Sequence, residues 1–194
     1  MLAELENMPI LKSVQNAELY AKKKHAGHFR RDGITPYAKH LEDVVNRLKS
    51  LGVVKSELLC AGWLHDVLED TETSFDDIYE KFDSTVAVLV SSLTKEMSLP
   101  RKRREQEYVM RLKESSTDAK LIKFCDISAN LSDLKNYEAS KSKKLRQVRQ
   151  KRHYLSVIKN DLPISKYPGI VPMLDSVNRI FKKYGQGSVL IKQD

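Results

Sequence analysis

At 194 residues the chain is long enough for one sizeable core and too short for two full domains. Hydrophobic residues make up 41% and charged residues 31%, and seven Gly with six Pro leave little for the frequent tight turns of a sandwich or barrel, so the composition points to helices. The net charge of +8 admits a nucleic acid, an anionic membrane or a phosphorylated small molecule as partner without choosing among them.

In chain order, apolar spacing predicts a first helix over Ile10–His28, with Pro9 at its start. The next stretch, His28-Phe29-Arg30-Arg31-Asp32-Gly33-Ile34-Thr35-Pro36-Tyr37, is a loop by its Gly and Pro. Its two adjacent arginines suit a phosphate or the face of a base, although by themselves they read as a solvated loop. A second helix is expected from about Tyr37 to Leu51, closed by Gly52, with His40 beside its apolar face. A third, capped by Ser56 and running through Leu68, is apolar nearly all round and therefore central.

That third segment leads into Trp63-Leu64-His65-Asp66-Val67-Leu68-Glu69-Asp70. Read as one continuous helix, it sets Glu69 one turn after His65 or Asp66, and Asp70 one turn after Asp66. Burying that many charges without a partner is very costly, and a divalent metal is a natural partner. A solvated helix face is the plainer reading of the segment alone.

Further helices are expected at Phe75–Phe82, Ser84–Leu93, Arg101–Ser115, Asp118–Leu134, Lys141–Lys159 and Ile170–Tyr184, with 186–194 as a frayed tail. The segment around Asp118–Leu134 carries an apolar stripe, with Asp126, Asn130 and Asp133 at successive turns beside it. The basic run Lys141–Arg152 and the tetrad Arg101–Arg104 read as solvated faces or as contacts to nucleic acid. The N-terminus lacks the pattern of a secretory leader, and no apolar run approaches membrane-spanning length. Cytoplasm is the expected location, with Cys60 and Cys125 as reduced thiols.

His40, His65, Asp66 and Asp126 together form a mixed nitrogen and oxygen set suited to Mn²⁺, Fe²⁺, Zn²⁺ or Mg²⁺, with Glu69 and Asp70 close by to handle a water. The order His…His-Asp…Asp resembles the HD-domain metal phosphohydrolases. The segments Lys24-His25-Ala26-Gly27-His28-Phe29-Arg30-Arg31, Pro36-Tyr37-Ala38-Lys39-His40, Leu64 to Thr71, Leu93-Thr94-Lys95 and Lys123 to Leu131 resemble the Rel/Spo alarmone-hydrolase branch, over roughly residues 19–134.

The resemblance implies an all-α fold, an HD-domain helical bundle of about eight to ten helices in a single domain over 1–194. C-terminal helices would span 140–184 and a tail 185–194. It implies Mn²⁺, or another divalent metal, held by His40, His65, Asp66 and Asp126. Glu69 and Asp70 would act on the water that attacks the 3′-pyrophosphate of (p)ppGpp. Arg30 and Arg31 would frame the guanine base, and Asn130 would contact the ribose. It further implies a stand-alone small hydrolase of a nucleotide, with a place in a stringent response. Ile127-Ser128-Ala129 departs from the family's usual residues after the aspartate and is expected to alter the substrate-side wall. Two other functions stay open: an HD phosphohydrolase of an adenosine alarmone or of the NADPH 2′-phosphate, and a non-catalytic nucleic-acid-binding protein on an HD fold. Oligomeric state is not legible.

Overall fold

The computed structural model describes residues 9–191. Ten α-helices run through them: α1 (Pro9–Lys24), α2 (Ala38–Ser50), α3 (Ser56–Leu64), α4 (Val67–Asp70), α5 (Phe75–Lys81), α6 (Ser84–Leu93), α7 (Arg101–Glu114), α8 (Thr117–Asp133), α9 (Lys141–Ile158) and α10 (Ile170–Lys183). Among the described residues the sole β feature is an isolated bridge between Phe29 and Pro36, and no helix is long and apolar enough to cross a membrane.

The bundle is organised around α3 and α8. Every residue of α3 from Leu58 to Leu64 is buried, so it has no solvent face and packs against α1, α2 and α6. Helix α8 buries Ala119 through Ala129 without a break and is covered by α2, α9 and α10. Gly62 lets α2 and α3 approach closely: a Cβ there would lie 2.8 Å from Leu48 Cδ1 and 3.1 Å from Val45 Cγ2. That close approach brings His40 on α2 to His65 at the end of α3. The β-branched run Val86–Val90 is helical within α6, whose start is capped by Asp83 through Val86 N.

Three expectations need correction. Ser56 does not cap the third helix but is its first residue, after Lys55, and no side chain caps that end. The third helix does not run on to Leu68. It stops at Leu64; His65 and Asp66 form a turn, with Asp66 at φ −106° and ψ −5°, and the short α4 follows. Asp70 still lies one turn past Asp66, its N–H donating to the Asp66 carbonyl at 2.9 Å. The end of the chain is not frayed as far as it is described. Asn178 and Val189 exchange two hydrogen bonds, Arg152 donates to the Gly187 carbonyl at 2.6 Å, and Val189 is buried. Residues 192–194 of the expected tail lie outside the described residues.

Candidate metal centre and nucleotide cleft

Three elements converge on one buried point. His40 Nε2 lies 3.3 Å from Asp126 Oδ1 and 3.6 Å from Asp66 Oδ2. His65 Nε2 lies 3.1 Å from Asp66 Oδ2 and 3.9 Å from Asp126 Oδ1. The ligand atoms offered by His40, His65 and Asp126 all fall within 4.8 Å of one another, and all three residues are buried. The turn at His65-Asp66 explains how adjacent residues share one point: it bends the backbone so that both side chains face it, which a continuous helix would splay by about 100°.

The donor chemistry fits a divalent cation. His65 Nδ1 lies 2.9 Å from the Gly62 carbonyl, an oxygen that can only accept, so Nδ1 carries the proton and Nε2 presents its lone pair to the cluster. That Nε2 is buried with no hydrogen-bond partner. Burial lowers the His40 pKa. At His65 burial works the same way, but the Asp66 and Asp126 carboxylates outweigh it and the net shift is upward. The carboxylates thus call for positive charge where the two imidazole nitrogens meet, and a metal ion meets that demand. Among the described residues no thiolate joins the cluster, which separates it from a structural zinc site.

Surrounding groups fix these side chains. Tyr37 Oη donates to Asp66 Oδ2 at 2.6 Å, and the Tyr37 ring stacks on His25 with centroids 5.0 Å apart. Asp126 is held on both oxygens: Asn130 donates to Oδ1, while Lys123 Nζ and Lys151 Nζ lie 2.8 Å and 3.5 Å from Oδ2. Both aspartates sit well below the usual carboxylate range. Burial opposes the shift in each; His65 and His40 outweigh it at Asp66, and Lys123 and Lys151 at Asp126. Asp70 moves the other way, pushed up to about 6 by burial and then by the Asp66 charge. Glu69 is aimed by the Lys95 backbone N–H, which donates to its Oε2 at 3.1 Å.

Beside the cluster a cleft of about 290 Å³ opens, at the lower end of the size range of small-molecule sites. The loop from His28 to Tyr37 is a tight hairpin. Arg30 N–H donates to the Thr35 carbonyl at 2.7 Å, Asp32 accepts from the Ile34 and Thr35 amides, and Gly33 takes the turn at φ +74°. It delivers Arg30 into the cleft, where the guanidinium donates to Asp133 at 3.0 and 3.2 Å and to Asn130 Oδ1 at 3.1 Å. Arg31 is exposed and lies over the Tyr137 ring. Arg30, Arg31, Asp66, Glu69, Asp70, Asp126 and Asn130 thus line the cleft, and His40 and His65 join Asp126 in the cluster beside it.

The opposite wall is cationic. Lys95 and Lys123 each lie over the rings of Tyr108 and Tyr154, at 5.1 to 5.6 Å, and Lys95 also pairs with Glu105 at 3.4 Å. Burial, and behind it Lys123 and Lys95, outweigh Asp126 to lower Lys151 to about 8. Sequence reasoning gave no site role to Lys95, Lys123 or Lys151. For Lys151 a signal existed: it falls three residues after Val148 and four before Leu155, on the inward stripe of α9. The expected effect of Ile127-Ser128-Ala129 on the substrate wall is not seen. None of the three lines the cleft: Ile127 and Ala129 are buried, and Ser128 Oγ accepts from Arg47 on α2.

Comparison with known proteins places this geometry. The guanosine-3′,5′-bis(diphosphate) 3′-pyrophosphohydrolase MESH1 of Danio rerio is 37% identical over 117 residues, covering 59% of this chain and 65% of that protein. The protein of the same name from Xenopus tropicalis is 34% identical over 124 residues, covering 63% and 69%. The chain thus spans just under two thirds of the first relative's length. A solved structure described as a metazoan ortholog of SpoT that hydrolyzes ppGpp superposes with a TM-score of 0.79 at 26% identity, covering 89% of this chain and 96% of that one. The family model of the HD domain matches residues 17–157, a span that holds the candidate metal cluster, the hairpin and the lysine wall, and the chain belongs to the HD domain family.

Proposed function

We propose that this chain is a metal-dependent phosphohydrolase that removes the 3′-pyrophosphate of (p)ppGpp, yielding GDP or GTP and pyrophosphate, with Mn²⁺ as the metal and the cytoplasm as its location. The observation that carries the reading is the meeting of His40, His65 and Asp126 at one buried point, with the half-buried Asp66 carboxylate 3.1 Å from His65 Nε2, beside Glu69, Asp70 and a cleft with a cationic wall. The named activity of the relatives supports the same substrate.

His40, His65, Asp66 and Asp126 would hold the metal, which when bound supplies Lewis-acid polarisation of a phosphoryl oxygen and acidifies water. Glu69, aimed by the Lys95 amide, and Asp70 orient the attacking water and take its proton. The water oxygen bonds to the phosphorus next to the ribose, the bond from that phosphorus to O3′ breaks, and O3′ takes up a proton as pyrophosphate leaves. Arg30, braced by Asp133 and Asn130, and Arg31 frame the guanine base; the Asn130 amide meets the ribose hydroxyl. Tyr37 keeps Asp66 aimed at the cluster.

The test is Mn²⁺-dependent pyrophosphate release from ppGpp. Wild-type protein turns it over, and Glu69→Ala lowers kcat by roughly 10² to 10⁴-fold while metal content is unchanged. Protein that holds metal and leaves ppGpp intact would sink the guanine assignment and send the search to adenosine alarmones and NADPH.

A further inference from the structure

Helix α9 closes the cleft opposite the hairpin, and the reaction described above makes no use of it. Two of its side chains, Gln147 and Lys151, stand one turn apart and border two spaces at once. One is the cleft over Asp66 and Asp126; the other is the narrower hollow beside Arg30, Arg31 and Tyr137. They therefore mark the junction between the phosphate-cleaving end and the base end.

Asp66, Glu69, Asp70 and Asp126 line the cleft along with the cations, yet the Lys151 ammonium has no carboxylate oxygen to itself. Lys95 has Glu105 as its own partner, and Lys123 holds Asp126 Oδ2 at 2.8 Å. The anion next to Lys151, at 3.5 Å, is the oxygen that Lys123 already occupies. The Lys151 side chain is 14% exposed, so solvent compensates it poorly. Two largely buried ammonium groups thus share one carboxylate oxygen, while the other oxygen of that carboxylate faces the imidazoles. An anion supplied by a ligand would give Lys151 a partner of its own.

We propose that Lys151, with Gln147 one turn before it, forms a subsite for the phosphate chain of the nucleotide that is not cleaved. This rests on reading the substrate as a nucleotide with phosphate chains on both sides of its ribose. With one chain at the metal cluster and the base at the arginines, the second chain passes the junction where Lys151 stands. The subsite favours a nucleotide with a second charged group over a simple phosphomonoester.

Calorimetric binding of GDP, ADP and guanosine to the metal-free protein tests the subsite without turnover, because the diphosphates carry only the non-reacting chain. Lys151→Gln weakens GDP binding about tenfold or more, leaves guanosine unchanged, and Lys151→Arg restores GDP. Equal losses for GDP and guanosine, no loss for GDP, or a wild-type protein that binds neither diphosphate would overturn the subsite. Turnover of ppGpp by the same wild-type preparation scores the activity separately. If ppGpp stays intact, the activity reading falls, while the diphosphate that does bind still decides on Lys151.

Discussion

The two oxygens of Asp126 face two differently built regions. On the Oδ1 side, His40, His65 and Asp66 come from helix ends locked by Gly62, Tyr37 and the Gly62 carbonyl, and nearly every donor is fixed by a neighbour. On the Oδ2 side, Lys95, Lys123 and Lys151 arrive from the loop after α6, from α8 and from α9, on long side chains backed by two tyrosine rings. One side is a rigid set with little charge to spare. The other carries surplus positive charge on adaptable stems. A metal needs fixed donors at set angles, whereas a phosphate chain needs cations that can follow it, so under the proposed function the two regions would divide the work of one cleft.

Substitutions at the shared carboxylate break this contrast most strongly. Asp126→Ala removes metal binding and turnover together, and by stranding Lys123 it lowers unfolding free energy by about 3–5 kcal/mol, measured by urea melts of metal-free protein. Asp66→Ala, which faces the imidazoles and Tyr37, abolishes turnover as fully but costs clearly less stability; equal costs would mean the lysine wall does not depend on Asp126. Tyr37→Phe is milder: losing the hydrogen bond to Asp66 weakens Mn²⁺ binding by about 10 to 100-fold, read by Mn²⁺ titration, with nucleotide affinity unchanged. Gly62→Ala is gentlest on chemistry. Crowding Leu48 and Val45 costs about 1–3 kcal/mol of stability by denaturant, and the spread of α2 from α3 shows first as weaker metal binding.

Much of the metal side is legible in the sequence, because the His-Asp pair directly follows a segment with no polar face and His40 borders an apolar stripe. The break after Leu64 is not, since apolar residues continue on both sides of His65-Asp66 and no Gly or Pro marks the turn. The lysine wall is harder still. In the run Lys141–Arg152 the cations differ only in register, and the one sign in the sequence that Lys151 turns inward is its spacing from Val148 and Leu155. The arginine hairpin reads as surface loop because its order comes from Asp32 capping the turn and from the distant Asp133, partners that periodicity does not connect. The chain end misleads in the opposite direction: its polar residues look frayed, yet Val189 and Asn178 find each other across the Gly185 turn.

That last contact makes the end of the chain a matter of laboratory design. Arg152, the residue after Lys151, is tied to the Gly187 carbonyl, and Lys159 to the Leu190 carbonyl, so the closing strand of backbone braces the helix that carries the lysine wall. A purification handle or fluorescent fusion placed just after Ile191 pulls on a strut, and a truncation at Gly185 removes it. Kinetic constants gathered on such versions would describe a cleft with one wall unpinned.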